Sequence, residues 1–90
     1  MSNREFNETW KCILTHSNKT FYTKSGLEFT YQIKGDGFYP SRTNYRISKA
    51  DFRKAYDIFP IEGPGDINEI VRGPAYVWAV LRDQRILSNG

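Results

Sequence analysis

A β-hairpin decides the fold of this chain, and its sequence reads Leu27-Glu28-Phe29-Thr30-Tyr31-Gln32-Ile33-Lys34-Gly35-Asp36-Gly37-Phe38. From Leu27 to Lys34 apolar and polar residues alternate, which is typical of a strand with one buried face. That face would carry Phe29, Tyr31 and Ile33. The following Gly35-Asp36-Gly37 predicts a tight turn, because glycine and aspartate tolerate the positive φ that such turns require.

The return strand of the hairpin is predicted to run from about Phe38 to Ile47. Pro40 lacks a backbone donor, so we expect this strand to begin irregularly or to lie at a sheet edge. In its second half, Tyr45 and Ile47 would face one side of the sheet. The opposite side would carry Arg42, Asn44 and Arg46.

An N-terminal helix is predicted before the hairpin. Its apolar residues recur at helical spacing, namely Phe6, Trp10, Ile13 and Leu14. Asn7 is the expected N-cap, and Ser17-Asn18-Lys19 would end the helix. Alternation of Trp10, Cys12 and Leu14 would also suit a strand, but we favour the helix.

A second helix is predicted to begin at Ser48, which has Asp51 three residues later in a capping-box arrangement. The apolar stripe of this helix consists of Phe52, Ala55, Tyr56 and Phe59. Pro60 ends it. The residues from Ile61 to Arg72 show no clear period and predict a loop, with one helical turn at Asp66 to Val71 as an option.

The last predicted helix opens at Gly73-Pro74, where proline suits the first helical position. It is apolar on every side as far as Leu81, so it must be buried all round or covered by another chain. The candidate interface residues are Tyr76, Val77, Trp78 and Leu81. The chain is therefore predicted to be a small single α+β domain over residues 1–90, in which a helix, a β-hairpin with an antiparallel sheet and two helices follow one another.

Composition excludes several classes of function. Cys12 is the only cysteine, so neither an intramolecular disulfide nor a cysteine-based zinc site can form. The longest apolar run, from Ala75 to Leu81, is far shorter than the roughly 20 residues that span a bilayer. His16 has no partners in a catalytic pattern. We expect a cytoplasmic protein that is not an enzyme, with no catalytic residue, metal, cofactor or membrane partner.

Positive charge is concentrated in residues 41–54, which hold five Lys or Arg and one Asp. The +4 balance of this segment exceeds the +3 of the whole chain. A cationic strand that leads into a helix start predicts an anion-binding surface, because guanidinium forks and free helix amides both bind phosphate. The predicted ligand residues are Lys34, Arg42, Asn44, Tyr45, Arg46, Ser48 and Lys49. The alternative is that these side chains only keep an exposed face soluble.

Two functions are compatible with these features. The preferred hypothesis is a binding protein for a phosphate-bearing ligand, either nucleic acid or a nucleotide-type small molecule. Tyr22, Tyr39 and Tyr45 could supply stacking surfaces for bases, although tyrosines more often fill a small core. The alternative is a protein–protein or homo-oligomerisation module that works through the apolar last helix. A dimer could combine both functions by placing two basic faces around one ligand.

Aromatic and glycine landmarks extend along most of the chain: Trp10, Phe21-Tyr22-Thr23, Gly26, Phe29, Tyr31, Ile47-Ser48-Lys49-Ala50-Asp51-Phe52 and Gly73-Pro74-Ala75-Tyr76-Val77-Trp78-Ala79-Val80-Leu81 with Arg82-Asp83 and Arg85-Ile86. In these landmarks the chain resembles a small accessory domain of bacterial and phage proteins, some of them linked to restriction or phage defence. The shared residues concern packing, so no catalytic residue carries over. The resemblance implies that a free-standing phage version would be an inhibitor, or a sponge that sequesters a defence signal.

Overall fold

The computed structural model describes residues 2–59 and 61–87 and confirms the α+β class. In chain order its elements are α1 (Ser2–Thr15), β1 (Phe21–Tyr22), β2 (Glu28–Phe29), β3 (Tyr31–Lys34), β4 (Gly37–Pro40), β5 (Ile47–Ser48), α2 (Lys49–Ile58), a 3-10 turn (Pro64–Ile67), α3 (Pro74–Leu81) and α4 (Gln84–Leu87).

The predicted hairpin is confirmed and forms part of a three-stranded antiparallel sheet in the order β3-β4-β5. Lys34 pairs with Gly37 across a two-residue turn. Within that turn only Gly35 has a positive φ, of 60°, as expected for a turn with glycine at its first central position. Phe38 pairs with Ile33 on one side and with Ile47 on the other, so β4 is the middle strand.

The predicted long strands are both interrupted. Thr30 separates β2 from β3, and β2 pairs with β1 in a second, two-stranded ladder. The cause is a contact with the return chain, because the Ser41 amide donates to the Thr30 carbonyl at 2.8 Å. The Thr30 amide in turn donates to the Ser41 hydroxyl at 3.0 Å.

The prediction that the return strand continues to Ile47 is wrong. It ends at Pro40, the chain turns through residues 41–46, and Ile47 comes back alongside β4 as part of β5. The predicted edge position of Pro40 is wrong too. Pro40 is the last residue of the middle strand, beyond the two pairs with β5, so its missing N–H breaks no bond to β5.

The N-terminal helix is confirmed and the strand alternative is wrong. The helix starts at Ser2, so Asn7 lies inside it and is not its N-cap. Leu14 is 41% exposed, whereas Thr9 and Cys12 are buried with the predicted stripe. The buried arc of α1 is therefore turned away from Leu14 and toward Cys12.

The start of α2 is confirmed, since the Ser48 hydroxyl accepts a hydrogen bond from the Asp51 amide at 3.1 Å. Phe52 and Ala55 are fully buried. The Asp51 carboxylate accepts from the Arg72 amide at 3.3 Å and so ties the following loop to α2. Pro60, the predicted end of this helix, lies outside the described residues.

The loop between α2 and α3 contains its 3-10 turn at Pro64–Ile67, earlier than the optional turn at Asp66 to Val71. Helix α3 opens as predicted, with Gly73 at φ 61° and Pro74 in the first position. A Cβ on Gly73 would lie 2.5 Å from Ile47 Cδ1, so this glycine also permits the close approach of β5.

The apolar helix α3 is enclosed by its own chain. It contacts α2, α4, β1 and the 3-10 turn. Of the predicted interface residues, Val77, Trp78 and Leu81 are only 0%, 7% and 2% exposed, and Tyr76 is half-buried. These three residues therefore belong to the core of the single chain, and their role in an interface stays a prediction. Oligomeric state itself stays a prediction.

The residues after α3 form a separate short helix. The helix ends at Leu81, and Asp83 begins the short helix α4 by accepting from the Arg85 amide at 2.9 Å through its side chain. Its carbonyl accepts from the Ile86 amide at 2.9 Å. Arg85 therefore belongs to a new turn rather than to the negative end of α3.

The core is a cluster of aromatic rings between the sheet and the helices. Tyr31 and Phe38 stack at 4.4 Å between centroids, and Phe38 contacts Phe52 at 4.8 Å. The Tyr31 hydroxyl donates to the Ile13 carbonyl at 2.6 Å, and burial raises the pKa of Tyr31. In the part of the chain that the structure describes, no helix has both the length and the apolar character to cross a bilayer.

Candidate functional site

The three-stranded sheet has one face against the core and one face toward solvent. Tyr31, Phe38 and Ile47 are buried on the inner face. Because side chains alternate along a strand, their neighbours point outward. We call the opposite side the outer face and define it by Gln32, Lys34, Gly37, Tyr39, Arg46 and Ser48.

Tyr39 lies near the middle of the outer face. It belongs to the central strand, where it pairs directly with Gln32, and its side chain is half-buried. The ammonium of Lys34 lies over the Tyr39 ring, 5.7 Å from its centroid. Such a cation–π contact at an exposed site contributes about 0.5–1 kcal/mol. A positive charge therefore lies over the Tyr39 ring.

Arg46 reaches the outer face because Gly37 has no side chain. A Cβ on Gly37 would lie 2.5 Å from Arg46 Nε and 3.0 Å from Tyr39 Cε1. The φ of Gly37 is not positive, so the backbone conformation does not require glycine there. The absent Cβ instead leaves the space in which the Arg46 side chain lies on β4 near the Tyr39 ring.

Within the part of the chain that the structure describes, the cations of the outer face form no ion pairs. Among the described residues, no carboxylate lies within 4.0 Å of Lys34 or Arg46, although three other cations have such partners. Both side chains belong to exposed residues. Two cations beside one aromatic ring form a surface that favours anions.

Lys49 does not join the outer face. Its ammonium lies over the Trp10 ring at 5.7 Å, so it covers the junction of α1 and α2. There it lines a cleft together with Asp36 and Arg53. Ser48 does lie on the outer face, but its hydroxyl oxygen already accepts the capping hydrogen bond of α2.

The remaining predicted ligand residues lie in the turn at residues 41–46. Arg42 Nε donates to the Glu28 carbonyl at 2.7 Å, beyond the end of β4. Asn44 is exposed in the turn. Tyr45 is half-buried, with its ring 5.3 Å from the Arg72 guanidinium and close to Gly73. The expected strand alternation fails here, because the segment is not a strand.

The structure thus joins only part of the predicted set. It brings Lys34 and Arg46 together with Ser48 and directs Lys49 and Tyr45 elsewhere. The sequence interpretation considered Tyr39 only as one of three possible stacking residues and missed Gly37. The hairpin register is sufficient to place Gly37 and Tyr39 on the same face as Lys34, but it does not show that Arg46 lies against Gly37.

The single cysteine and histidine serve the fold. Cys12 is buried, and its thiol donates to the Arg85 carbonyl at 3.1 Å. His16 Nδ1 donates to the Cys12 carbonyl at 2.9 Å, which satisfies a carbonyl in the last turn of α1. Within the described ranges, no group of three or more His, Cys, Asp or Glu side chains is placed to hold a metal ion.

Comparisons with family models, with curated proteins and with solved structures find no match to this chain. The resemblance to an accessory domain of phage and bacterial proteins therefore stays a prediction. Function has to be argued from the chemistry of the outer face.

Proposed function

We propose that the outer face binds a phosphate-bearing ligand, either nucleic acid or a nucleotide-type molecule. One observation carries the proposal: Lys34 lies over the Tyr39 ring and Arg46 lies near it, and no described carboxylate lies within 4.0 Å of either cation. Binding involves no chemical step, and the ligand is held by charge and by the ring.

The two cations suit phosphate in complementary ways. The Arg46 guanidinium offers a planar set of donors that can bind two oxygens of one phosphate. The Lys34 ammonium is a point charge on a flexible stem, so it can follow the ligand. Lys34 belongs to a strand of a sheet anchored by the aromatic core, and Arg46 directly precedes Ile47, the buried first residue of β5. That anchoring limits the conformational entropy lost when the ligand binds.

The geometry gives no support to the alternative function, an oligomerisation module working through α3, because Val77, Trp78 and Leu81 are buried in the single chain. A role as a phage inhibitor or sponge rests on the resemblance alone. Sequestration of a nucleotide-type signal would be one use of the outer face.

The proposal is tested by fluorescence anisotropy with a labelled 15-nucleotide oligonucleotide at low and physiological salt. We expect Lys34→Ala/Arg46→Ala to weaken binding at least tenfold, because both direct phosphate contacts are lost. The matched control is Lys11→Ala/Lys19→Ala, which removes the same charge from exposed positions elsewhere. The control should change affinity less than about twofold, since charges farther away than about 8 Å are screened. Equal losses in the two variants would contradict a specific site.

A further inference from the structure

We infer that the ligand of the outer face is a single-stranded nucleic acid, with one unpaired base stacked on Tyr39 and flanking phosphates held by Lys34 and Arg46. This inference rests on the proposed function and narrows its ligand to one class. The observation behind it is an aromatic ring on the outer face with the Lys34 ammonium over it and the Arg46 side chain near it.

The Tyr39 ring can accept a base because the side chain that lies over the ring can move away from it. The group over the ring is the Lys34 ammonium, at 5.7 Å from the centroid, and Lys34 is an exposed residue. An ammonium on a flexible stem can leave the ring for a phosphate while a base takes its place. Every base has a π-face, so such stacking does not depend on sequence.

A duplex cannot use the ring in the same way. Its bases are stacked on one another inside the helix, and their faces are closed to an aromatic residue on a flat sheet. Only the two cations would contact a duplex, through its phosphates. Stacking on the Tyr39 ring would therefore make the affinity for a single strand higher than the affinity for a duplex.

The backbone segments that carry the two cations lie on opposite sides of β4, the strand that carries Tyr39. Lys34 comes from β3 and Arg46 from the segment that leads into β5, while Tyr39 is on β4 between them. Since neighbouring strands are about 4.8 Å apart, the two backbone positions lie about 10 Å apart across β4. A strand that crosses the sheet would present different phosphates to the two cations while one base stacks on Tyr39.

An extended ligand also fits this face better than an isolated nucleotide. Small ligands usually bind in concave sites that enclose them. The described clefts beside Lys49 and beside Leu27 contain none of the outer-face residues. A strand on an open sheet instead gains affinity along its length, and two neutralised phosphates predict a salt slope of about −1.4.

The test compares four probes by anisotropy and competition: a 15-nucleotide DNA strand, its RNA counterpart, the corresponding DNA duplex and inorganic polyphosphate. We expect one or both single strands to bind at least tenfold more tightly than the duplex. Tyr39→Leu should weaken single-strand binding about fivefold or more and leave duplex binding unchanged. Tyr39→Phe, which keeps the ring, should bind like the wild type.

Tyr22→Leu is the matched control, because Tyr22 is 56% exposed and lies on β1, outside the outer face. Circular dichroism and thermal unfolding verify that each variant is folded. Equal affinity for strand and duplex, with no effect of Tyr39→Leu while Lys34→Ala/Arg46→Ala weakens both, would overturn this inference and leave the proposed function in place. Failure of the wild type to bind any of the four probes would overturn both.

Discussion

The outer face and the C-terminal turn, which consists of Asp83 and helix α4, each contain an arginine, but the two arginines have different partners. In the C-terminal turn, Arg85 donates to the Asp83 carboxylate through Nε at 2.9 Å and Nη2 at 3.0 Å. Nη2 also donates to the Thr20 carbonyl at 2.8 Å, and the guanidinium lies 4.1 Å from the Phe21 ring centroid. Arg46 lies over Gly37, and among the described residues it has no carboxylate partner within 4.0 Å.

The difference shows that the partners of a cation, and not its place in the sequence, decide whether it can bind a ligand. The basic segment at residues 41–54 illustrates this. Arg53 is paired with Asp57 at 3.0 Å, and Lys54 lies 4.0 Å from Asp51. Lys49 covers an aromatic ring of the core. The local charge of +4 therefore overstates the surface that is available for an anion.

The largest expected effect is the loss of stability in Arg85→Ala. This change removes the bonds that join α4 to Asp83 and to the chain before β1. We expect the free energy of unfolding to fall by about 2 kcal/mol, in line with charged hydrogen bonds that are partly exposed. Urea unfolding measures the change. Oligonucleotide binding should be unaffected, and a parallel loss of binding would mean that the two regions are not separate.

The second prediction concerns pH and the same turn. Burial would raise the pKa of Asp83, but hydrogen bonds from Arg85 and the charges of Arg85 and Arg82 outweigh burial, so the pKa of Asp83 lies below its ordinary value. As the pH falls, Asp83 is therefore protonated at a higher pH in the unfolded chain than in the folded chain. The stability from this pair is complete above the ordinary aspartate pKa of about 3.9 and is lost as the pH falls through the lower folded pKa.

Urea unfolding of the wild type and of Asp83→Asn over the acid range tests this dependence. Asparagine caps a helix about as well as aspartate, so the variant removes mainly the charge. We expect Asp83→Asn to be about 1 kcal/mol less stable at neutral pH and the difference to shrink toward pH 2. A difference that stays constant with pH would contradict the assigned ion pair.

Local sequence patterns predicted which helices and strands form, whereas long-range contacts determine where each one begins and ends and which side chains are buried. The hairpin turn and the Ser48 cap depend on neighbouring residues, so the sequence is sufficient to find them. The break at Thr30 depends on Ser41, and the burial of Trp78 depends on what encloses α3. Neither the break nor the burial can be predicted from the local periodicity of the sequence.

The candidate site was predictable in part for the same reason. Charge density led to Lys34 and Arg46, which share the outer face. It also led to Arg42 and Tyr45, because the turn after Pro40 was interpreted as strand. The role of Gly37 depends on the position of Arg46, nine residues later, and no pattern within the hairpin indicates it.

The smallest expected change in stability, and the sharpest test of the outer face, is Gly37→Ala. The new Cβ would lie 2.5 Å from Arg46 Nε, so the arginine must move off β4. The displaced atoms lie toward the end of a flexible side chain, and alanine suits a strand better than glycine, so stability should change by less than about 0.5 kcal/mol. We expect oligonucleotide affinity to fall about threefold, because the guanidinium is no longer held beside Tyr39.

Gly35→Ala is the matched control, since it adds the same methyl group two residues earlier in the hairpin. Its Cβ would meet no atom within 4 Å, but the φ of 60° strains any residue with a side chain. We expect it to lose about 1 kcal/mol of stability and to keep its affinity, the reverse of Gly37→Ala. Only a site that depends on the positions of Arg46 and of the Tyr39 ring, which the new Cβ would meet at 3.0 Å, predicts this reversal. If affinity followed stability in both variants, the cations would be acting as general surface charge, and the contrast between the outer face and the C-terminal turn would not hold.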